Sequence, residues 1–315
     1  MDSAHRATDG EILRMERKLA KIYSQAEDEL SEKIRKYWAR FEKLDEEKQA
    51  LVEAGKLTEE AYQNWRRTQL MTGVRWDNLR LEVAQELYKT NQTALEYVNG
   101  TLSKIYAINY NYSAAEIQRL SGNAISFDLV NKRAVENLVK AGNKSLLPLK
   151  KLEPEKDIPW NMSNVNSAVL QGIVQGETIP QIADRIAGVT NANEVSSVRA
   201  ARTIVTTVEN KARHDAGLAA QEKGVVMGKC WISTHDQLVR DWHRDAGSDY
   251  GTREKAIPLD DLFSVGPDLM EYPGDVSACA ANLYNCRCTH KNVVQGFTSI
   301  LPPEKRGKIK VTFNE

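Results

Sequence analysis

Between Glu11 and Ala54 the chain has neither proline nor glycine, and its apolar residues recur by threes and fours. Ile12, Met15, Leu19, Ile22, Ala26, Leu30, Ile34, Tyr37, Phe41, Leu44 and Leu51 carry the pattern. Such spacing gathers the apolar side chains into one seam on a helix that packs lengthwise against a partner helix. The two consecutive fours through Ala26, Leu30 and Ile34 resemble a stutter, which relaxes any supercoil locally. At 1.5 Å per residue the stretch is a rod of roughly 65 Å, too long for the interior of a compact domain. Its seam needs a cover, and the expectation is that a partner protein supplies it.

Gly55-Lys56 ends the rod, and Thr58 is placed to cap a second helix whose first turn carries Glu59 and Glu60. Residues 59–107 again read as helix, with Gly73 as a kink and Asn99-Gly100 as a turn signal. Two long helices joined by a short turn make an antiparallel hairpin. Residues 108–157 are more broken, and the domain boundary is expected near 145–160. Trp38, Trp65 and Trp76 read as helix–helix contacts rather than as platforms for stacked bases.

Three further helices follow, over 161–176, from 178 with Thr178 as the N-cap, and over 195–224. Val225 to Ile232 is the first strand-like run of the chain. Long helices followed by short strands and loops predict an α+β protein. The organisation expected is an extended helical hairpin or bundle over 1–157, a helical segment over 158–228 and a small α+β module over 229–315.

Across 315 residues the formal net charge is zero, with 41% hydrophobic and 27% charged residues. That balance is ordinary for a globular chain and lacks the basic stripe of a protein that grips nucleic acid over a broad face. Local basic patches remain, notably Lys305, Arg306, Lys308 and Lys310, a candidate contact for phosphate. No run nears the roughly 20 apolar residues of a membrane span. The first residues lack the apolar core of a secretory signal, so a soluble protein that stays where it is made is expected.

The reactive side chains are concentrated late in the chain. All 4 cysteines and His235, His243 and His290 lie between Cys230 and His290, and only His5 and His214 precede them. Asp236, Arg240 and His243 are spaced by four and three. If Thr234 caps a helix there, all three share one face and Asp236 pairs with Arg240. Cys286-x-Cys288-x-His290 offers thiolates and an imidazole, donors that suit zinc, with Cys230, Cys279, His235 or His243 available to complete a tetrahedron. Buried free thiols and a disulfide are the alternatives. A hydrolase or nucleotide-modifying site would need Ser233 or Cys286 with His243 and Asp236, Arg240 being the further polar group. No nucleophile elbow, zinc-protease helix or phosphate loop accompanies them.

Trp231, then Asp236-x-x-Val239-Arg240-x-x-His243, then Pro273-Gly274-Asp275, then Asn285-Cys286-Arg287-Cys288 is a multi-part signature. In that order it resembles the phage Mu F-like minor head proteins, also called phage head morphogenesis proteins, over residues 160–295. The resemblance implies a non-enzymatic component of a tailed-phage virion, inside the capsid at the portal vertex and in the host cytoplasm during assembly. It implies the portal and other head proteins as partners, no membrane, and a part in procapsid assembly, DNA packaging or DNA delivery. Cys230 and Cys279 lie outside the signature, which directs attention to Cys286, Cys288 and His243. Besides the enzyme, the other reading is an accessory protein that binds viral DNA non-specifically.

Overall fold

The computed structural model describes residues 2–71, 74–140, 147, 151–234 and 236–298. The expected α+β class holds. Helices α1 (Ser3–Glu53), α2 (Glu59–Met71), α3 (Val74–Leu120), α4 (Lys132–Lys140), α5 (Pro154–Val174) and α6 (Ile179–Glu222) precede every strand. Then come β1 (Val225–Ile232), α7 (Asp241–Tyr250), the short strands β2 (Ile257–Pro258), β3 (Phe263–Val265) and β4 (Asp268–Met270), the single turn α8 (Ala280–Leu283) and β5 (Thr289–Phe297). Among the described residues no helix is long and apolar enough to cross a membrane.

The local signals act where the spacing places them. Gly55 takes the left-handed φ of +68° that ends α1, and the hydroxyl of Thr58 accepts the Ala61 N–H at the start of α2. At the start of α6 the Gln181 side chain reaches back to the Thr178 N–H at 2.8 Å, one half of a capping box. Two other signals are overridden. The helix α3 runs through Asn99-Gly100, because Val98, Leu102 and Ile105 on either side are buried. Their burial outweighs the roughly 1 kcal/mol that glycine costs inside a helix. The second and third predicted helices of the middle segment are likewise one, since α6 continues without interruption from Ile179 to Glu222.

The chain divides into two compact units, each assembled from separate stretches rather than from the three consecutive segments expected. One comprises Glu16–Tyr97 and Lys150–Val198, the other Met1–Met15, Val98–Leu149 and Arg199–Glu315.

In the first unit α1 and α3 run antiparallel, since Tyr23 meets Asn91, Lys33 meets Glu82 and Trp38 meets Trp76. The hairpin read from the sequence is therefore α1 with α3, and α2 lies in the connection. Leu30, Ile34 and Trp38 of α1 are buried with Val83 and Leu87 of α3, Val169 and Ile173 of α5, and Ile182 and Ile186 of α6. The seam of α1 is thus covered by the chain's own helices around Leu30 and Ile34, while Leu44 and Leu51 near its end stay exposed. That corrects the expectation of a seam left for a partner: the cover lies tens of residues away in sequence, where periodicity cannot see it. Beneath it Arg66 is fully buried, its Nε 3.0 Å from Asp45 and a guanidinium N–H donated to the Glu177 carbonyl.

In the second unit β1 is the centre of the antiparallel sheet β2-β1-β5, with Trp231 opposite His290 and Lys229 opposite Asn292. The strands β3 and β4 form a separate hairpin. Burial along β1 is nearly continuous rather than alternating. The last turns of α6 press on the sheet at Gly217, where an added Cβ would meet Leu259 and Asn292. On the other flank α7 lies against β1 and β3.

Candidate metal centre and its loop framework

A polar face of α6 organises the loops of the second unit. Thr203, Thr206, Thr207 and Asn210 recur at helical spacing and all are buried. Thr203 Oγ1 accepts the Asn285 N–H at 3.2 Å. Thr206 donates to the Cys286 carbonyl at 2.7 Å, and Asn210 Nδ2 donates to the Cys288 carbonyl at 3.1 Å. Asn285 itself stands at φ +55°, the left-handed kink that turns the chain into Cys286-Arg287-Cys288. The sequence reading missed these four side chains. Their signal was a row of hydroxyls and an amide recurring at helical spacing.

The Pro273-Gly274-Asp275 turn is fixed by the same face. Thr207 donates to the Gly274 carbonyl at 2.6 Å. Gly274 has φ +82°, and an added Cβ would lie 3.1 Å from the Thr207 backbone nitrogen. Gly274→Ala should therefore cost about 1–3 kcal/mol through its left-handed backbone alone, with the close approach adding to it. Urea denaturation of the purified variant checks this. The Asp275 carboxylate closes the turn by accepting the N–H groups of Glu271 and Ser277, both at 2.9 Å.

Around Asp236 the structure differs from the single helical face expected. Residues 236–239 form turns, and α7 begins only at Asp241, with Arg240 at its N-cap. Asp236 pairs instead with Arg287, through two hydrogen bonds of 2.6 and 2.8 Å at the surface. The Arg287 hydrogen bond holds the Asp236 carboxyl below its ordinary range. Arg240 donates to the Tyr284 carbonyl. Both arginines thus brace the loop that carries the cysteines, and the bidentate fork of Arg287 outcompetes the local i,i+4 pairing.

His243, three residues further, points inward. Its Nδ1 lies 3.4 Å from Cys288 Sγ and 3.5 Å from Cys286 Sγ. All three residues are about 2% exposed. They are the group of His, Cys, Asp and Glu side chains, among the described residues, whose donor atoms converge as a metal's ligands would. Trp231, fully buried, sets its ring edge-to-face against both His243 and Phe263, with centroids 5.4 Å apart in each case. On the far side Nε2 of His243 is 3.2 Å from Asn282 Oδ1. Cys288 is the more acidic thiol, its hydrogen bonds with Cys286 and His243 outweighing burial. Cys286 is pushed up by its hydrogen bond to Cys288 and by burial.

The other expected ligands are not in this group. His290 is on β5, its N–H and its Nδ1 directed at Asn210 Oδ1. Burial keeps its pKa well below the ordinary value, and His214 beside it is pushed down to about 4 by burial and the Lys229 and Lys211 charges. His290 thus meets α6 through Asn210 and does not join the thiols. Cys230 donates to the Thr252 carbonyl, and burial pushes its thiol up to about 11. Cys279 is exposed. His235 and the basic residues Lys305, Arg306, Lys308 and Lys310 lie outside the described residues. Lys229, which the sequence reading did not single out, is fully buried, donates to the Glu271 carbonyl at 2.7 Å, and is pushed down to about 8 by burial.

The family model described as Phage Mu protein F like protein matches residues 163–291. The chain is 28% identical over 230 residues to the minor head protein GP7 of Bacillus phage SPP1, covering 69% of this chain and 69% of that protein. It is 25% identical over 185 residues to the NAD(+)--arginine ADP-ribosyltransferase EFV of Enterococcus faecalis (strain ATCC 700802 / V583). That match takes in 59% of this chain and only 36% of the transferase. No solved structure matches.

Proposed function

With residues 163–291 forming a Mu F-like domain, we propose that the chain is a minor head protein of a tailed phage. In this reading it sits inside the capsid at the portal vertex, contacts the portal and other head proteins, and acts in procapsid assembly, DNA packaging or DNA delivery. The observation that carries it is the extent of similarity to the SPP1 minor head protein. At 69% of both chains it reaches beyond the signature-bearing domain into the helices. The loop framework supports it as well. Trp231, Asp236, Arg240, Gly274, Asp275 and Asn285 each fix a loop or fill a core, which is what a structural module requires.

Immunogold labelling of purified procapsids tests the location. Label at one vertex, lost when the portal protein is omitted, is expected. Label spread over the shell, or protein absent from heads, would contradict the proposal. Because the α1 seam is buried within the chain, deleting residues 1–107 would destroy the fold. Charge reversals at exposed helix positions are the appropriate probes of partner contact.

The similarity to a transferase gives the enzyme reading its one support. It is weighed down by the geometry, in which Asp236 and Arg240 are engaged with the Cys loop while His243 and Cys286 are buried. Incubation with NAD and an arginine analogue should yield no transfer. Transfer that disappears in His243→Ala would establish the enzyme instead. DNA binding through the basic residues 305–310 would weaken steeply with added salt. A mobility shift insensitive to salt excludes that mode.

A further inference from the structure

We propose that His243, Cys286 and Cys288 bind a thiophilic divalent cation, zinc being the natural occupant, as a structural clasp between α7 and the loop leading into β5. Two thiolates and one imidazole suit zinc, with sulfur and nitrogen ligands at about 2.3 and 2.0 Å from the ion. A tetrahedral ion then sets neighbouring N and S donors about 3.5 Å apart. The separations of Nδ1 from the two sulfurs, 3.4 and 3.5 Å, are of that size.

The tautomer is set from behind. Asn282 is fully buried, and its Nδ2 donates to the Val265 carbonyl at 2.8 Å and to Asp268 Oδ2 at 2.7 Å. That commits its Oδ1 to accepting from His243 Nε2. A ligating histidine ordinarily gives its second N–H to such an acceptor, which fixes the ring and leaves the other nitrogen free to ligate. Here the nitrogen left over is Nδ1, facing both sulfurs. A single lone pair can accept a proton from only one thiol, whereas a cation between them engages all three donors. Cys286 Sγ also accepts the Cys288 N–H at 3.4 Å, which holds the two sulfur-bearing residues in one tight turn. No fourth His, Cys, Asp or Glu among the described residues joins the group. The arrangement that competes with a metal is an imidazolium–thiolate pair between His243 and Cys288, with Cys286 as a neutral donor.

Cobalt(II) titration of the full chain, stripped with a chelator and kept reduced, separates the two. Stoichiometric cobalt should produce a thiolate-to-metal charge-transfer band and the visible bands of a four-coordinate ion, both removed by added zinc. Cys279→Ser should keep the spectrum, and Cys288→Ser should weaken the charge-transfer band. Asn282→Ala should weaken zinc affinity about 10–100-fold. A folded wild-type chain, checked by circular dichroism, that leaves cobalt with only its aquo spectrum overturns the proposal, even if Cys288→Ser fails to fold. So does a charge-transfer band that vanishes in Cys279→Ser. Neither result depends on where the protein resides in a phage head.

Discussion

Glu209→Ala is expected to destabilise the protein by about 1–3 kcal/mol, the cost of leaving buried polar groups without one of their partners. Glu209 is 2% exposed and lies 2.7 Å from His5 Nδ1 and 3.3 Å from Arg213 Nη2. Arg213 is buried as well, and it also pairs with Asp2 at 2.7 and 2.9 Å and with Asn109 Oδ1 at 3.0 and 3.2 Å. One carboxylate therefore ties the first turn of α1 to α6, while Arg213 reaches α3 through Asn109. Removing it leaves the His5 imidazole without its acceptor and takes from the Arg213 guanidinium one of its two carboxylates. Glu209→Gln should cost less, because an amide oxygen still accepts from His5 and only the charge is lost. Urea denaturation at constant pH ranks the two variants.

The same network has a pH signature. Burial pushes His5 down, but the Glu209 hydrogen bond and charge outweigh it, so its folded pKa lies above the ordinary value. A raised histidine pKa means that the pair's contribution is complete below the unfolded value of about 6.5 and is lost as pH rises through the folded value. At Asp2, burial acts upward and the Arg213 hydrogen bond and charge prevail, taking the carboxyl down to about 2. Its contribution is present above the unfolded value and disappears as pH falls from about 4 to 2. Stability measured against pH should carry both slopes in the wild type. In Glu209→Ala the alkaline one should flatten.

Trp231→Ala is the second large effect, at about 3–5 kcal/mol for a fully buried tryptophan. The indole lies edge-to-face between His243 and Phe263, so its loss opens a cavity beside the candidate metal ligands. The imidazole would then be free to turn, and zinc affinity should fall together with stability. Trp231→Phe keeps one aromatic edge in place and should cost less in both. Thermal denaturation with and without zinc reads the two effects. If stability drops by the expected amount while zinc binding is unchanged, Trp231 packs the core without positioning His243.

What the sequence determined is what can be settled within a few residues. The absence of helix breakers made α1 a long helix, Gly55 and Thr58 ended and restarted it, Thr178 and Gln181 capped α6, and Val225–Ile232 became a strand. Each depends on backbone hydrogen bonds and side chains no more than one turn apart. The signature residues from Trp231 to Cys288 were legible too, though as a set rather than as a geometry. Tertiary structure decided every pairing across distance. Asn99-Gly100 stayed helical because its neighbours are buried. Asp236 found Arg287 rather than Arg240 because the chain turns before α7 begins. His290 went to Asn210 while His243 joined the thiols. The α1 seam found its cover in α3, α5 and α6 of the same chain. Periodicity reports which face of an element is apolar. Which element that face meets depends on the path of the backbone between them, and no local pattern encodes that path.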